Sequence, residues 1–205
     1  MITIVDYGAG NIFSIQNMLK KLGVESVLGI DAPSIENADK LILPGVGAFD
    51  TCAGKLMQSG LQESLQKLVI EKKVPVLGIC VGMQLMTEGS EEGALPGLGW
   101  IKGQTIKFKQ QAMPAHYKIP HMGWSEIELN KVSDLFDGLD DASRFYFVHS
   151  YYVQPENPGD VLAYTTYGNR IAVAVERDNI LGVQFHPEKS HRYGMKLLEN
   201  FVKKY

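Results

Sequence analysis

Val74-Pro75-Val76-Leu77-Gly78-Ile79-Cys80-Val81-Gly82-Met83-Gln84 limits the folds open to this chain more than any other stretch. It begins as a short apolar run rich in β-branched residues, which reads as a buried strand. Val81, Met83, Gln84, Leu85 and Met86 then start a helical pattern. A cysteine flanked by glycines, Gly78-x-Cys80-x-Gly82, stands at the junction. A strand that turns sharply into a helix crowds its own backbone, and small neighbours relieve that crowding. A side chain at such a turn is held out beyond the end of the sheet, at the positive end of a helix. Cys80 is therefore a candidate nucleophile. Taken alone, the motif favours a core cysteine, which is what most free cysteines are.

The segments before it alternate strand with helix. Ile2 to Val5 reads as a strand, and Asp6-Tyr7-Gly8-Ala9-Gly10-Asn11 as a tight loop. Asn11 suits the N-cap of a helix running to Gly23, with Ile12, Ile15, Met18, Leu19 and Leu22 on one face. Gly8 and Gly10 hint at a dinucleotide fingerprint, but Phe13 stands where its third glycine belongs. Val24 to Ile30 and Lys40 to Leu43 read as the next strands, the latter ending in Pro44-Gly45-Val46-Gly47. A helical pattern from about Ala48 to Lys73 breaks near Ser59-Gly60. This alternation predicts a parallel sheet. Chemistry in such sheets gathers outside the carboxyl ends of the strands, where the Pro44–Gly47 loop and Cys80 would both lie.

After Gly89 the pattern changes. Residues 90–99 are rich in turn formers. Short alternating segments follow at Ile101 to Phe108, Ser125 to Leu129, Phe145 to Val153, Val161 to Tyr167 and Ile171 to Phe185, with hairpin turns at Gly168-Asn169 and Asp178-Asn179. The last element, Tyr193 to Tyr205, reads as an amphipathic helix with Met195, Leu198 and Phe201 or Val202 inward. The expected fold class is α/β. One domain, residues 1–205, carries a central mostly parallel sheet with flanking helices, plus additional antiparallel strands in the C-terminal half.

Composition excludes several functions. With 205 residues the chain can bury one sizeable core, and a net charge of −3 gives no basic excess for nucleic acid or an anionic membrane. No apolar run approaches a membrane span. Met1-Ile2-Thr3-Ile4-Val5-Asp6 lacks the basic start of a secretory signal, and two cysteines make no disulfide framework, so a reducing cytoplasm is expected. The cysteines and histidines show no ligand-like clustering, so neither a metal nor a cofactor is expected.

A cysteine nucleophile needs a base, an orienter for that base and donors for an oxyanion. Of the five histidines, His186 stands out: it follows the strand-like Leu181 to Phe185 and precedes Pro187-Glu188. Residues i and i+2 of extended backbone point the same way, so Glu188 can reach the His186 ring and fix its tautomer. Pro187 stiffens the link. A surface His and Glu at a strand end would show the same pattern. The Val81 N–H, just after the nucleophile, is one oxyanion donor, and Gly45-Val46-Gly47 is the natural source of a second. A plain strand-to-helix turn would also explain those glycines.

Together these motifs resemble the class I (triad) glutamine amidotransferases. More narrowly they resemble the glutaminase subunits of imidazole glycerol phosphate synthases. The resemblance rests on Asp6 to Asn11, Leu43 to Phe49, Leu77 to Gln84, Pro120-His121-Met122-Gly123-Trp124, Phe147 to Tyr151 and Gly182 to Ser190, in order across nearly the whole chain. It implies that Cys80 attacks the side-chain amide of L-glutamine, that His186 handles the proton and that Glu188 orients His186. Backbone at Val46, Gly47 and Val81 would hold the oxyanion. Gln84, Glu92, Ser150 and Tyr151 would line the glutamine pocket. The ammonia would pass to a cyclase subunit, a (β/α)8 barrel forming a heterodimer with this chain and making imidazole glycerol phosphate and AICAR in histidine biosynthesis. Trp124, Tyr146 and Lys189 match positions facing that partner. His121 and His149 fall in structural or interface roles. Ser125 stands where the family often has Asn, and Val81 where relatives often have Leu.

Rival readings are distinguishable. The Pro120–Trp124 block and the Lys189-Ser190 ending argue against triad glutaminases of pyridoxal phosphate, anthranilate or guanylate synthesis. Gln84 argues against a peptidase of the same fold. A binding subunit without activity would not need Cys80, His186 and Glu188 together.

Overall fold

A computed structural model describes residues Met1–Tyr205, apart from the side chain of Ala112. Its first half holds β1 (Ile2–Val5), α1 (Ile12–Lys21), β2 (Ser26–Gly29), α2 (Ala32–Ile35), β3 (Lys40–Gly45), α3 (Phe49–Gln58), α4 (Gln62–Gln66), β4 (Val76–Cys80) and α5 (Val81–Leu85). The second half holds β5 (Gly103–Lys107), β6 (His121–Glu126), β7 (Glu128–Leu129), β8 (Arg144–His149), β9 (Tyr151–Pro155), β10 (Val161–Tyr167), β11 (Asn169–Arg177), β12 (Ile180–Val183) and α6 (His191–Lys204). Eight strands form the main sheet in the order β2-β1-β3-β4-β12-β11-β10-β7. Pairing is parallel from β2 through β12 and antiparallel from β12 to β7. Two hairpin-like pairs, β5 with β9 and β6 with β8, stand apart from it.

Central β4 is buried along its whole length, as its unbroken apolar run predicts. The helical pattern after Gly47 does break at Ser59-Gly60, separating α3 from α4. Four details differ from the sequence reading. The short α2 was not foreseen. Asp31 and Ser34 close a reciprocal cap around it, with Ser34 in the place usually held by Glu or Gln. The Phe145 to Val153 run is two strands, because the chain leaves one pair at Ser150 and enters another. Strand β6 starts at His121, earlier than Ser125, with Gly123 at φ +124° inside it. In α6 the buried apolar positions are Leu197, Leu198 and Phe201, whereas Met195 and Val202 are only partly covered.

Strand β3 runs on through Pro44 and Gly45. Its pairing with β1 ends at Ile42, while its pairing with β4 continues to Gly45 opposite Cys80. Pro44 thus has a strand neighbour on one side alone, which a residue lacking an N–H tolerates. The Pro44–Gly47 loop and Cys80 end up side by side at the carboxyl edge.

Candidate active site

Cys80 ends β4 with φ +55° and ψ −112°, a strained conformation for a residue with a side chain. The glycines around it permit backbone to touch backbone. A Cβ on Gly82 would lie 1.8 Å from the Leu43 carbonyl oxygen, one on Gly45 2.6 Å from the Gly82 nitrogen, and one on Gly78 2.8 Å from the Met83 nitrogen. The sharp turn read from Gly78-x-Cys80-x-Gly82 is therefore an interlock of β3, β4 and α5.

His186 follows β12 and lines the same cavity as Cys80. Its Nδ1 is 2.7 Å from Glu188 Oε1, and both side chains are buried. Burial opposes a charge on His186, but the hydrogen bonds with Cys80 and Glu188 outweigh it and push its pKa up to about 10. Burial likewise opposes charge on Glu188, yet His186 and then Asn11 hold its carboxyl below the usual range. Asn11 sits at the N-cap position of α1 but makes no capping bond. Its Nδ2 donates instead to Glu188 Oε1 at 2.8 Å. The N-cap role expected of Asn11 is thereby corrected: the side chain serves the acid, 177 residues away in sequence.

A cavity of about 410 Å³ opens over Cys80 and His186. Val46 and Gly47 line one side and Val81 and Gln84 the floor helix. Glu92 enters from the loop after α5, and Ser150, Tyr151 and Lys189 close the opposite side. Glu188 lies behind His186, outside the lining. The N–H groups of Val46 and Gly47 donate to no protein acceptor among the described residues. Val81 opens α5, where an N–H has no partner within the helix. Two donors without a protein acceptor, the N–H groups of Val46 and Gly47, thus line the cavity with the sulfur. The carbonyls of the same loop are held from behind: Tyr7 Oη donates to Pro44 O at 2.7 Å, and Cys52 Sγ donates to Val46 O at 3.3 Å.

Other side chains were not legible beforehand. Gln184 is fully buried, accepts from Gln84 Nε2 at 3.1 Å and points its own Nε2 at Cys80 Sγ, 3.8 Å away. Alternation along the strand leading to His186 was the available signal, since Gln184 shares its face. Glu92 Oε2 accepts the Phe49 N–H at 2.7 Å, so this acid also closes the start of α3. Trp124, Tyr146 and Lys189 form one cluster. Trp124 meets Tyr146 edge-on at 6.1 Å and stacks on His191 at 5.3 Å, and Lys189 lies over the Tyr146 ring. Trp124 is 44% and neighbouring Met122 61% exposed, leaving apolar surface beside the cavity.

A sulfur nucleophile, an imidazole oriented by a carboxylate and free N–H donors form an acyl-transfer centre. The comparisons agree with that chemistry. The model of the glutamine amidotransferase class-I family matches residues 3–205. The chain is 52% identical over 203 residues, 99% of each chain, to imidazole glycerol phosphate synthase subunit HisH 2 of Methanococcus maripaludis. It is 48% identical to the Pseudomonas aeruginosa subunit HisH 2, covering 98% of each chain. Among solved structures it resembles a glutamine amidotransferase with a TM-score of 0.75 at 21% identity, covering 98% of this chain and 97% of the other. At that identity the likeness concerns the fold.

Proposed function

Because the chain belongs to the class-I glutamine amidotransferases, we propose that residues 1–205 act as one glutaminase domain whose chemistry runs through Cys80, His186 and Glu188. The chain is the glutaminase subunit of an imidazole glycerol phosphate synthase, in histidine biosynthesis. Cys80 gives its thiol proton to His186 as its Sγ attacks the side-chain carbonyl carbon of L-glutamine. The N–H groups of Val81, Val46 and Gly47 receive the oxyanion. The tetrahedral species collapses with a proton from His186, releasing ammonia and leaving a glutamyl thioester. His186 then takes a proton from water, which attacks the thioester, and glutamate departs as the thiol is restored. Glu188 keeps the imidazole oriented throughout.

Gln84, Glu92, Ser150 and Tyr151 hold the amino-acid end of glutamine. Glu92 Oε1 is the carboxylate oxygen left over for the substrate ammonium, since Oε2 is taken by Phe49. The ammonia goes to a (β/α)8-barrel cyclase in a heterodimer, which the exposed Met122 and Trp124 and the neighbouring Tyr146 and Lys189 would face. The working compartment is the cytoplasm. No described helix is long and apolar enough to cross a membrane.

The observation that carries this reading is the 2.7 Å His186–Glu188 contact behind a cysteine on a positive-φ turn. The test is glutamate release from glutamine by this chain alone, with the cyclase, and with the cyclase plus its nucleotide ligand. A slow rate alone and a large rise with both supports the reading. No release in any combination overturns it.

A further inference from the structure

Two buried histidines outside the triad form a hydrogen-bond chain with only one direction. His149 Nδ1 lies 2.9 Å from the Tyr151 carbonyl oxygen. A carbonyl can only accept, so Nδ1 carries the proton and Nε2 of a neutral ring is an acceptor. His121 Nδ1 lies 3.0 Å from that Nε2 and must therefore donate. His121 Nε2 is then an acceptor in turn, and the Ser125 hydroxyl, 2.8 Å away, donates to it. Burial lowers the pKa of His121 to about 4, and burial with the His121 neighbour lowers that of His149 to about 3. Both rings are thus neutral in ordinary conditions. The rings are also held in place, with His121 stacked between Phe147 at 4.6 Å and Tyr167 at 3.9 Å.

The chain ends in the cavity. The Tyr151 carbonyl also accepts from Gln84 Nε2 at 3.1 Å, and the other proton of that amide goes to Gln184. Both amide protons are then committed, and Gln84 Oε1 is the free atom of a side chain that lines the cavity. A flipped Gln84 would set its oxygen against two acceptors. We propose that His149 is a positioning residue of the glutamine pocket: with Ser125 and His121 fixing its tautomer, it anchors the Tyr151 carbonyl and so keeps Gln84 presenting an acceptor to the substrate. A fixed acceptor favours a substrate that brings a donor, such as the α-ammonium of glutamine, over an analogue without one.

This inference rests on the glutaminase reading of the cavity, and the test separates the two. The complex of this chain with its cyclase is assayed with glutamine and with the desamino analogue glutaramate. Ser125→Ala and His121→Ala are expected to raise the glutamine KM about fivefold or more with kcat changed less than about twofold, a loss of uniform binding. Their preference for glutamine over glutaramate should shrink, and Ser125→Thr, which keeps the hydroxyl, should restore both values. Unchanged KM and preference in Ser125→Ala, or loss of kcat alone, overturns the proposal. Nitrogen NMR of ¹⁵N-histidine in the unmodified chain gives a second readout that needs no variant. His149 should show a protonated Nδ1 and a bare Nε2, and the opposite tautomer overturns the chain. An unmodified complex that releases no glutamate would instead sink the glutaminase reading, and with it the assignment of a substrate to this pocket.

Discussion

Asn11 Nδ2 and His186 Nδ1 converge on the same oxygen of Glu188, at 2.8 and 2.7 Å. The other carboxylate oxygen, Oε2, is buried with no partner in the protein. Asn11 therefore fixes which oxygen faces the imidazole. A partner that orients a ligating or catalytic group through one hydrogen bond is worth roughly ten- to a hundredfold, so Asn11→Ala should lower kcat/KM for glutamine about tenfold. Asn11→Asp should cost more, because a second carboxylate would oppose Glu188. Steady-state glutamate release in the cyclase complex measures both, and full activity in Asn11→Ala would remove this residue from the triad.

Replacing Cys80 separates the two half-reactions. Cys80→Ala removes the proposed nucleophile and leaves the exposed surface around Trp124 untouched, so glutamine-dependent synthesis should vanish while ammonia-dependent synthesis persists. Product formation from glutamine and from ammonium salts, run side by side, decides this. Loss of both would make Cys80 a structural residue.

Stability should peak near neutral pH. His121 and His149 titrate at about 4 and 3 when folded, below the ordinary 6.5, so the unfolded chain binds protons first as the pH falls under 6.5. Folding then weakens down to those values, by roughly tenfold in the equilibrium constant per pH unit for each ring. His186 works in the opposite sense, with a folded value of about 10. Its contribution is complete below 6.5 and fades as the pH climbs towards 10. The lowered carboxyl of Glu188 contributes above the ordinary carboxylate range and is lost below it. Denaturant unfolding at a series of pH values should show both flanks, and a flat profile from pH 4 to 7 would contradict buried neutral histidines.

Two glycines of the site should fail differently. A Cβ at Gly82 meets the Leu43 carbonyl at 1.8 Å, whereas one at Gly47 meets nothing within 4 Å but must adopt φ +102°. Gly82→Ala should destabilise by about 3 kcal/mol or more through forced separation of β3 and α5. Gly47→Ala should stay folded at a cost of about 1 kcal/mol and lose glutaminase activity, because its strain falls on a proposed oxyanion donor. Unfolding curves and glutamate release on the two variants test the contrast.

The sequence made the proposed triad and the parallel half of the sheet readable because both are local patterns. Gly78-x-Cys80-x-Gly82 and His186-x-Glu188 carry their geometry in their spacing, and β1, β3 and β4 in their apolar runs. What escaped depends on distant partners. Asn11 looks like an N-cap because its use lies at Glu188, and Gln184 looks like a strand residue because its use lies at Gln84 and Cys80. The Phe145–Val153 run reads as one strand because the change of pairing at Ser150 is imposed by β5, not by its own residues. His121 and His149 carry no spacing signal, since they meet only when β6 pairs with β8.

The early end of the β1–β3 pairing turns the carboxyl edge of the sheet into a step. With β1 stopping at Val5 and β3 continuing to Gly45, the chain has a ledge over Pro44 on which to turn back. Tyr7 reaches the Pro44 carbonyl from that ledge, and Gly10 packs so close that a Cβ would lie 2.6 Å from the Pro44 ring. The same turn carries Asn11 across to Glu188. Were β1 two residues longer, its backbone would occupy the ledge, and the loop that braces both Pro44 and Glu188 would have nowhere to lie. A difference in strand length, fixed by the proline, is thus what lets one loop touch both the Pro44–Gly47 turn and Glu188.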